Sequence, residues 1–456
     1  MTDLKILNAC IPDYDNDNFV MGDILINDGK IVKISACGEI EEETEGTIDA
    51  QGQIVSAGFV DIHAHEDTPE GDFFTSKCCL RMGVTTKIAG NCGETYEAID
   101  EFVERINSGS PTNYMIFIGQ NTLRHMVGAN DRYTPSTPAQ LDEMKKIVKD
   151  CLKYSPVGLS CGFEYSPGVT LDETVELLTA FDKKDYIVSV HFRSDGPEAV
   201  KSTEELIQLS KRSGFKVQMS HIGSCSAVGY MRDTLDVLKR ARTEGVDIMT
   251  DCYPYNAFCT GIGTAVFDEA AFEKWDYGDL MITDGPYKNQ RCTKELFEKV
   301  RKETPEMHVV AFVMNEEEID MAYKEPFVMV GSDCGFINGA GHPRGAGTFP
   351  RVLGYYVRER KTLSLIDALK KMTVIPAKRV NLINKGEVRE GFDADLVIFN
   401  EKTIIDKATF QEPSLPPDGI SYVILNGQVA VKDNEIVNGR LGRYLPYIHM
   451  EDDFKN

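Results

Sequence analysis

The sequence predicts a (β/α)8 barrel of the TIM type, with a small β-sandwich domain built from both chain termini. Three observations carry this. Short β-branched runs alternate with helical stretches through the middle of the chain, strand-like segments with hairpin turns crowd both ends, and histidines follow several of the predicted strands.

Residues 1–55 read as short strands. Within them, residues 23–34 form two β-runs around Asn27-Asp-Gly29, and Asp-Gly suits the positive φ angles of a two-residue hairpin. The C-terminal end reads alike: residues 394–399 and 422–431 are strand-like, with a turn at Asn426-Gly427. Residues 1–56 and 388–456 are therefore assigned to one small β-sandwich domain, and residues 57–387 to the barrel. Strand candidates in the middle are residues 59–62, 84–89, 114–118, 157–161, 186–190, 215–219, 246–249 and 327–330. Helical stretches at 137–154, 171–184, 198–213 and 231–243 separate several of them. A ninth candidate at 309–313 leaves the strand count open by one. Residues 261–306 are the least regular stretch and read as an insertion between strands seven and eight.

Bulk properties narrow the function. The chain has 456 residues, 42% of them hydrophobic, enough for a large core. No run approaches the ~20 apolar residues of a membrane span. Met1-Thr-Asp-Leu-Lys5 lacks a basic-then-apolar signal pattern, so a cytoplasmic protein without membrane partners is expected. The formal charge of −23 argues against nucleic acid as a partner and reads as solubility. Twelve cysteines with no C-x-x-C pattern read as reduced thiols, most of them small core hydrophobes. No seam marks a homo-oligomer, which is left open.

Catalytic residues of a barrel sit at the C-terminal ends of its strands. Those ends carry His63 and His65, then Gly90-Asn-Cys-Gly93, Glu164-Tyr165, His191-Phe-Arg193, Ser220-His221, Asp251-Cys-Tyr253 and Ser332-Asp333. Four of the eight histidines in the chain lie on this one rim. A single histidine there is more often packed than ligating, but four together point to a metal. The period-two spacing of His63-Ala-His65 turns both imidazoles to one side of an extended strand. Imidazole, thiolate and carboxylate suit zinc, with manganese, iron and cobalt as alternatives. Cys92 would serve as a thiolate, which an adjacent metal favours.

These residues resemble the amidohydrolase superfamily and, within it, the N-acyl-D-amino-acid deacylases, or D-aminoacylases. The shared segments are Gly58-Phe-Val-Asp-Ile-His-Ala-His65, Gly83-Val-Thr-Thr86, Gly90-Asn-Cys-Gly93, Gly158-Leu-Ser-Cys-Gly-Phe-Glu-Tyr165, Ser220-His221, Asp251-Cys-Tyr-Pro-Tyr255 and Gly331-Ser-Asp333. The longest is His342-Pro-Arg-Gly-Ala-Gly-Thr-Phe-Pro-Arg-Val-Leu-Gly354. The resemblance implies that Cys92, His191 and His221 hold one tightly bound Zn2+. It implies a second, weaker site at His63 and His65, bridged by Cys92 and close to Asp333. Glu164 stands where the superfamily often has a carboxylated lysine and is either a ligand or a neighbouring carboxylate.

The implied reaction is hydrolysis of a linear amide, with an N-acyl-D-amino acid giving a free D-amino acid and a carboxylate. Asp333 is the expected general base and then general acid. Arg344, Tyr253, Tyr255 and Arg193 are candidates for the substrate carboxylate. One departure concerns selectivity: the family commonly has Ser-His-His-Lys after strand six, whose lysine helps hold that carboxylate, whereas this chain has Ser220-His-Ile-Gly-Ser224. A different acylated amine, a cyclic amide as in hydantoinases and dihydroorotases, and a non-catalytic scaffold are the competing readings.

Overall fold

The computed structural model describes residues 2–66 and 71–450. Eight parallel strands follow one another around the barrel in chain order. They are Phe59–Asp61, Val84–Ala89, Asn113–Gly119, Gly158–Gly162, Ile187–His191, Lys216–Met219, Ile248–Cys252 and Val328–Val330. Every residue of the second, third and fourth strands is buried, as parallel strands covered on both faces require. The ring closes just beyond the strands. Ala64 and Cys334 form a parallel bridge, and the Asp333 N–H donates to the His63 carbonyl at 2.8 Å.

Local chemistry sets the helix ends. Thr137 and Gln140 form a capping box ahead of Pro138–Cys151, with proline in the first turn. Thr170 caps Leu171–Leu177. Ala199–Ser213 ends at Gly214, whose φ of 75° gives the left-handed C-terminal cap.

The ninth strand candidate lies outside the barrel. His308–Ala311 runs antiparallel between Phe258–Gly261 and Leu280–Ile282 in a separate three-stranded sheet. The stretch read as irregular therefore has structure of its own, including the helix Lys294–Glu303. Its strands are only three or four residues long and its remaining helices are 3-10 turns, too short for a periodicity reading to detect.

Both termini share one nine-stranded sheet, joined where Ile54–Ala57 pairs antiparallel with Leu396–Phe399. Its hydrogen-bonded path is continuous, and Ile6, Ile24, Ile26, Val55, Leu396, Ile398 and Ile424 pack in its core. Asp28-Gly29 and Asn426-Gly427 close its hairpins, with φ of 50° and 70° at the first and 52° and 75° at the second. The chain then leaves this sheet. The Tyr114 N–H donates to Arg443 O at 3.0 Å, and the Tyr447 N–H donates to Ser155 O at 2.8 Å. The C-terminal segment thus runs across the N-terminal ends of barrel strands three and four, on the face opposite the histidines. All twelve cysteines are free thiols. Among the described residues, no helix is long and apolar enough to cross a membrane.

Lys371, on the helix Leu365–Met372, is buried beneath strand eight, where its ammonium donates to the carbonyls of Val328, at 2.8 Å, and Glu325. Burial pushes it down to about 8, against the pull of Asp367 and Glu325. The unfolded chain therefore holds more protons than the folded one from about pH 8 to about 10.5, and stability attributable to Lys371 rises with pH across that window. Urea unfolding of wild type and Lys371→Met at intervals from pH 7 to 10 should show the difference between them changing with this sign. A pH-independent difference would refute it.

Candidate metal centre

The rim is organised by two buried carboxylates. Asp61, at the end of strand one, accepts from the Ser332 N–H at 2.9 Å and from the Ser332 hydroxyl. Asp251, at the end of strand seven, accepts from the His221 N–H at 2.9 Å and from Gln218 Nε2 at 2.9 Å. Its Oδ1 also lies 3.2 Å from His63 Nδ1, although His63 Nδ1 is out of line for a hydrogen bond. Three residues beside these anchors hold left-handed backbone: Cys92 at φ 58°, His221 at 31° and Asp333 at 51°. Side chains seldom adopt that region, and such strain concentrates at functional sites. The Gly-Asn-Cys-Gly turn supports one of them. Gly90 has φ 77° and leaves no room for a Cβ, which would lie 2.6 Å from Phe117 O. Asn91 Nδ2 donates to Ile88 O at 2.9 Å, and Asn91 Oδ1 accepts from Ser189 at 2.7 Å.

The four donor atoms that converge come from His63, Cys92, His221 and Asp333, all buried and all within 4.8 Å of one another. Cys92 Sγ is 3.4 Å from His63 Nε2 and 3.5 Å from His221 Nε2. His191 and His65 flank this set. His191 Nδ1 is 3.0 Å from His221 Nε2, and His65 Nε2 is 3.0 Å from Asp333 Oδ1. His63 thus stands with Cys92 and His221 at the heart of the cluster, not only at an outer site with His65.

The donor set fits a divalent cation. Burial lowers His191 to about 3 and holds His221 well below its ordinary range, so both imidazoles are neutral and offer lone pairs. Burial, reinforced by Asp333 and Asp251, pushes the Cys92 thiol well up, so a thiolate there calls for an adjacent cation. Ser224 Oγ lies 2.8 Å from His221 Nδ1 and Glu164 Oε2 lies 2.9 Å from His191 Nε2, fixing both rings through their far nitrogens. Glu164 is thus a neighbour of His191, raised by burial to about 8.

Asp333 Oδ2 pairs with Arg344 Nη1 at 2.9 Å. Burial favours a protonated Asp333, but Arg344, with His65, outweighs it and holds the carboxyl well below the usual range. Arg344 also donates to Cys259 O at 3.1 Å and lies 4.8 Å from the centre of the Tyr253 ring. A cavity over the cluster is lined by His191, His221, Asp333, Arg344 and Tyr253, and also by Glu164 and Asp195. Burial and then Glu164 raise Asp195 to about 7, against the pull of Lys274.

Two substrate-binding expectations are corrected. Arg193 does not turn toward the cluster; its guanidinium pairs with Glu205 at 2.8 Å and donates to the carbonyls of Pro167 and Val169 at 3.0 and 2.9 Å. The Tyr255 hydroxyl donates to Asp406 at 3.0 Å. Both positions follow the right strands, but buried or local acceptors take their polar groups. Sequence reasoning missed Asp251 as an anchor, although its place at a strand end was visible, and it missed Ser224 and Asp195. In the altered segment after strand six, Gly223 packs close to Met314, whose Cε would lie 2.9 Å from a Cβ there.

A parallel barrel whose rim gathers histidines, a cysteine and an aspartate around one point is the architecture of a metal-dependent hydrolase. The comparisons agree. The Amidohydrolase family matches residues 321–431. The chain is 28% identical to an N-acyl-D-glutamate deacylase of Alcaligenes xylosoxydans xylosoxydans, with 87% of each chain covered. It is 26% identical to a D-aminoacylase of the same organism, over 91% of this chain and 92% of that one. The crystal structure of the N-acyl-D-glutamate deacylase from Bordetella bronchiseptica, bound to zinc and a phosphonate mimic of the tetrahedral intermediate, superposes with a TM-score of 0.88. It is 27% identical, covering 98% of this chain and 99% of that one. The chain is similar to the amidohydrolases and, within that superfamily, resembles the N-acyl-D-amino-acid deacylases.

If His221 is a metal ligand, His221→Ala should lower divalent-metal affinity by at least about tenfold. Elemental analysis after dialysis against a graded chelator series reads this directly, and unchanged retention would remove His221 from the ligand set.

Proposed function

We propose that the protein is a zinc-dependent deacylase that hydrolyses the amide of an N-acyl-D-amino acid. The observation that carries this reading is Asp333, an ionised and buried carboxylate placed between the histidine–cysteine cluster and Arg344. Resemblance over almost the whole chain to deacylases of N-acyl-D-glutamate and D-aminoacylase supports the substrate class.

Cys92, His191 and His221 would hold the tightly bound ion, with His63 close enough to contribute and His65 on the side of a weaker second site. A bound divalent cation supplies Lewis acidity, lowering the pKa of water from about 15.7 to about 7 and polarising an acyl oxygen. Asp333 Oδ1 accepts the proton of the attacking water and returns it to the departing nitrogen. Arg344 holds Asp333 ionised before attack and, with Tyr253, faces the substrate α-carboxylate. Glu164 orients His191 from outside the ligand set. The aromatic lining of Phe192, Tyr253 and Phe258 excludes water from the reacting end.

Asp333→Asn keeps the side chain's size but removes the proton acceptor. Deacylation of N-acetyl-D-amino acids by the zinc-loaded variant should fall by at least about a thousandfold, as for removal of a general base. Zinc content should persist through the remaining donors. Near-wild-type turnover would refute the role of Asp333. Turnover of hydantoins or dihydroorotate in place of all N-acyl amino acids would overturn the substrate class.

A further inference from the structure

We propose that Lys274 is a specificity-determining residue, whose ammonium, held at the cavity rim by Asp195, receives a second carboxylate carried on the side chain of the N-acyl amino acid. This rests on the deacylase reading and narrows it to acidic substrates.

Asp195 belongs to the wall of the same cavity that His191, His221, Asp333 and Arg344 line. Lys274 Nζ bonds to Asp195 Oδ1, and the two side chains are exposed very unequally: 27% for the lysine and 4% for the aspartate. The cation is therefore the more accessible member of the pair. An ammonium has three donors, and Asp195 Oδ1 takes one. The lysine is held in place. Its Nζ sits 4.9 Å from the ring centre of Trp275, which is itself buried, and its Cδ lies over Gly196, 3.7 Å from where a Cβ would be.

The placement of the other cation decides which carboxylate Lys274 serves. Arg344 is the one cation among the residues lining the cavity, and it sits against Asp333 at the reacting end. The α-carboxylate, one bond from the carbon that carries the scissile nitrogen, belongs at that end. Lys274 pairs instead with Asp195, another acid of the same lining, and its charge also acts on Glu164. Two cations, each held by a different acid of one cavity lining, match a substrate with two carboxylates. Asp195 acts through Lys274 and is a positioning residue.

The alternative is a latch, in which the Asp195–Lys274 pair only pins the segment between strands seven and eight to the barrel. The test compares kcat/KM of the full-length zinc-loaded protein for N-acetyl-D-glutamate and N-acetyl-D-glutamine at pH 8. The two differ in charge and scarcely in shape. Wild type should prefer the glutamate derivative by at least about tenfold, the scale of one hydrogen bond to a charged group, and added salt should narrow the preference. Lys274→Met should bring the ratio to about one, and Lys274→Arg should keep most of it. Asp195→Asn should raise KM for the glutamate derivative more than it changes kcat. If Lys274→Met does not fold, the Arg and Asn variants carry the same decision. Equal wild-type rates on the two derivatives would overturn this inference and leave the deacylase reading standing, as would an equal loss on both in Lys274→Met. No turnover of either would overturn both.

Discussion

The site depends on the junction that closes the barrel. Strand one and the segment after strand eight meet through Asp61, which accepts both the N–H and the hydroxyl of Ser332, and through the Asp333 N–H on the His63 carbonyl. A closed parallel sheet needs such a junction because an open edge would leave unpaired backbone groups. Here the same hydrogen bonds bring Asp333, from the far end of the domain in sequence, against the histidines of strand one. Gly331 belongs to this closure: a Cβ there would lie 2.8 Å from His63 Cβ and 2.9 Å from Asp251 Oδ1. Closure of the fold and assembly of the donor set are one event.

Burial then sets the electrostatics. The chain carries a formal charge of −23, yet its centre is rich in nitrogen bases that burial keeps neutral. Asp333 and Arg344 beside them form a compensated ion pair. Removing either partner would leave the other buried and unpaired, which costs far more than the pair itself contributes. Two neutral imidazoles, a protonated thiol and an ion-paired carboxylate form a set whose unmet need is a cation.

Much of this was legible in the sequence, for physical reasons that differ by element. Strands such as 84–89 and 114–118 were readable because both faces are buried, so their apolar runs are unbroken. His63, His191, His221 and Asp333 were readable because a barrel presents its strand ends on one rim. The nearest-neighbour relations were not. Nothing in the sequence says that His63 Nε2 approaches Cys92 while its Nδ1 faces Asp251, since those contacts depend on barrel closure and on left-handed backbone at Cys92 and Asp333. Arg193 misled for a related reason. Its position beside His191 was right, but Glu205, on the helix that follows, takes its guanidinium.

The chemistry and the selectivity of this protein therefore rest on different kinds of structure. Proposed metal ligands and the proposed base stand on barrel strand ends held by buried carboxylates, where a shift of one residue breaks several hydrogen bonds. Phe258, Cys259, Thr260 and Val266, which complete the cavity, and Lys274, which bonds to its lining residue Asp195, all come from the segment between strands seven and eight. That segment is made of short strands and 3-10 turns, and Thr260 touches the barrel side of the cavity at Tyr165. Few constraints of barrel geometry act on it, so its length and charges can change while the rim below stays intact. The packing of Gly223 against Met314 and Cys252 shows the same division after strand six. With glycine at this position, the segment after strand six carries no charge there, and the cation beside Asp195 comes from the inserted segment.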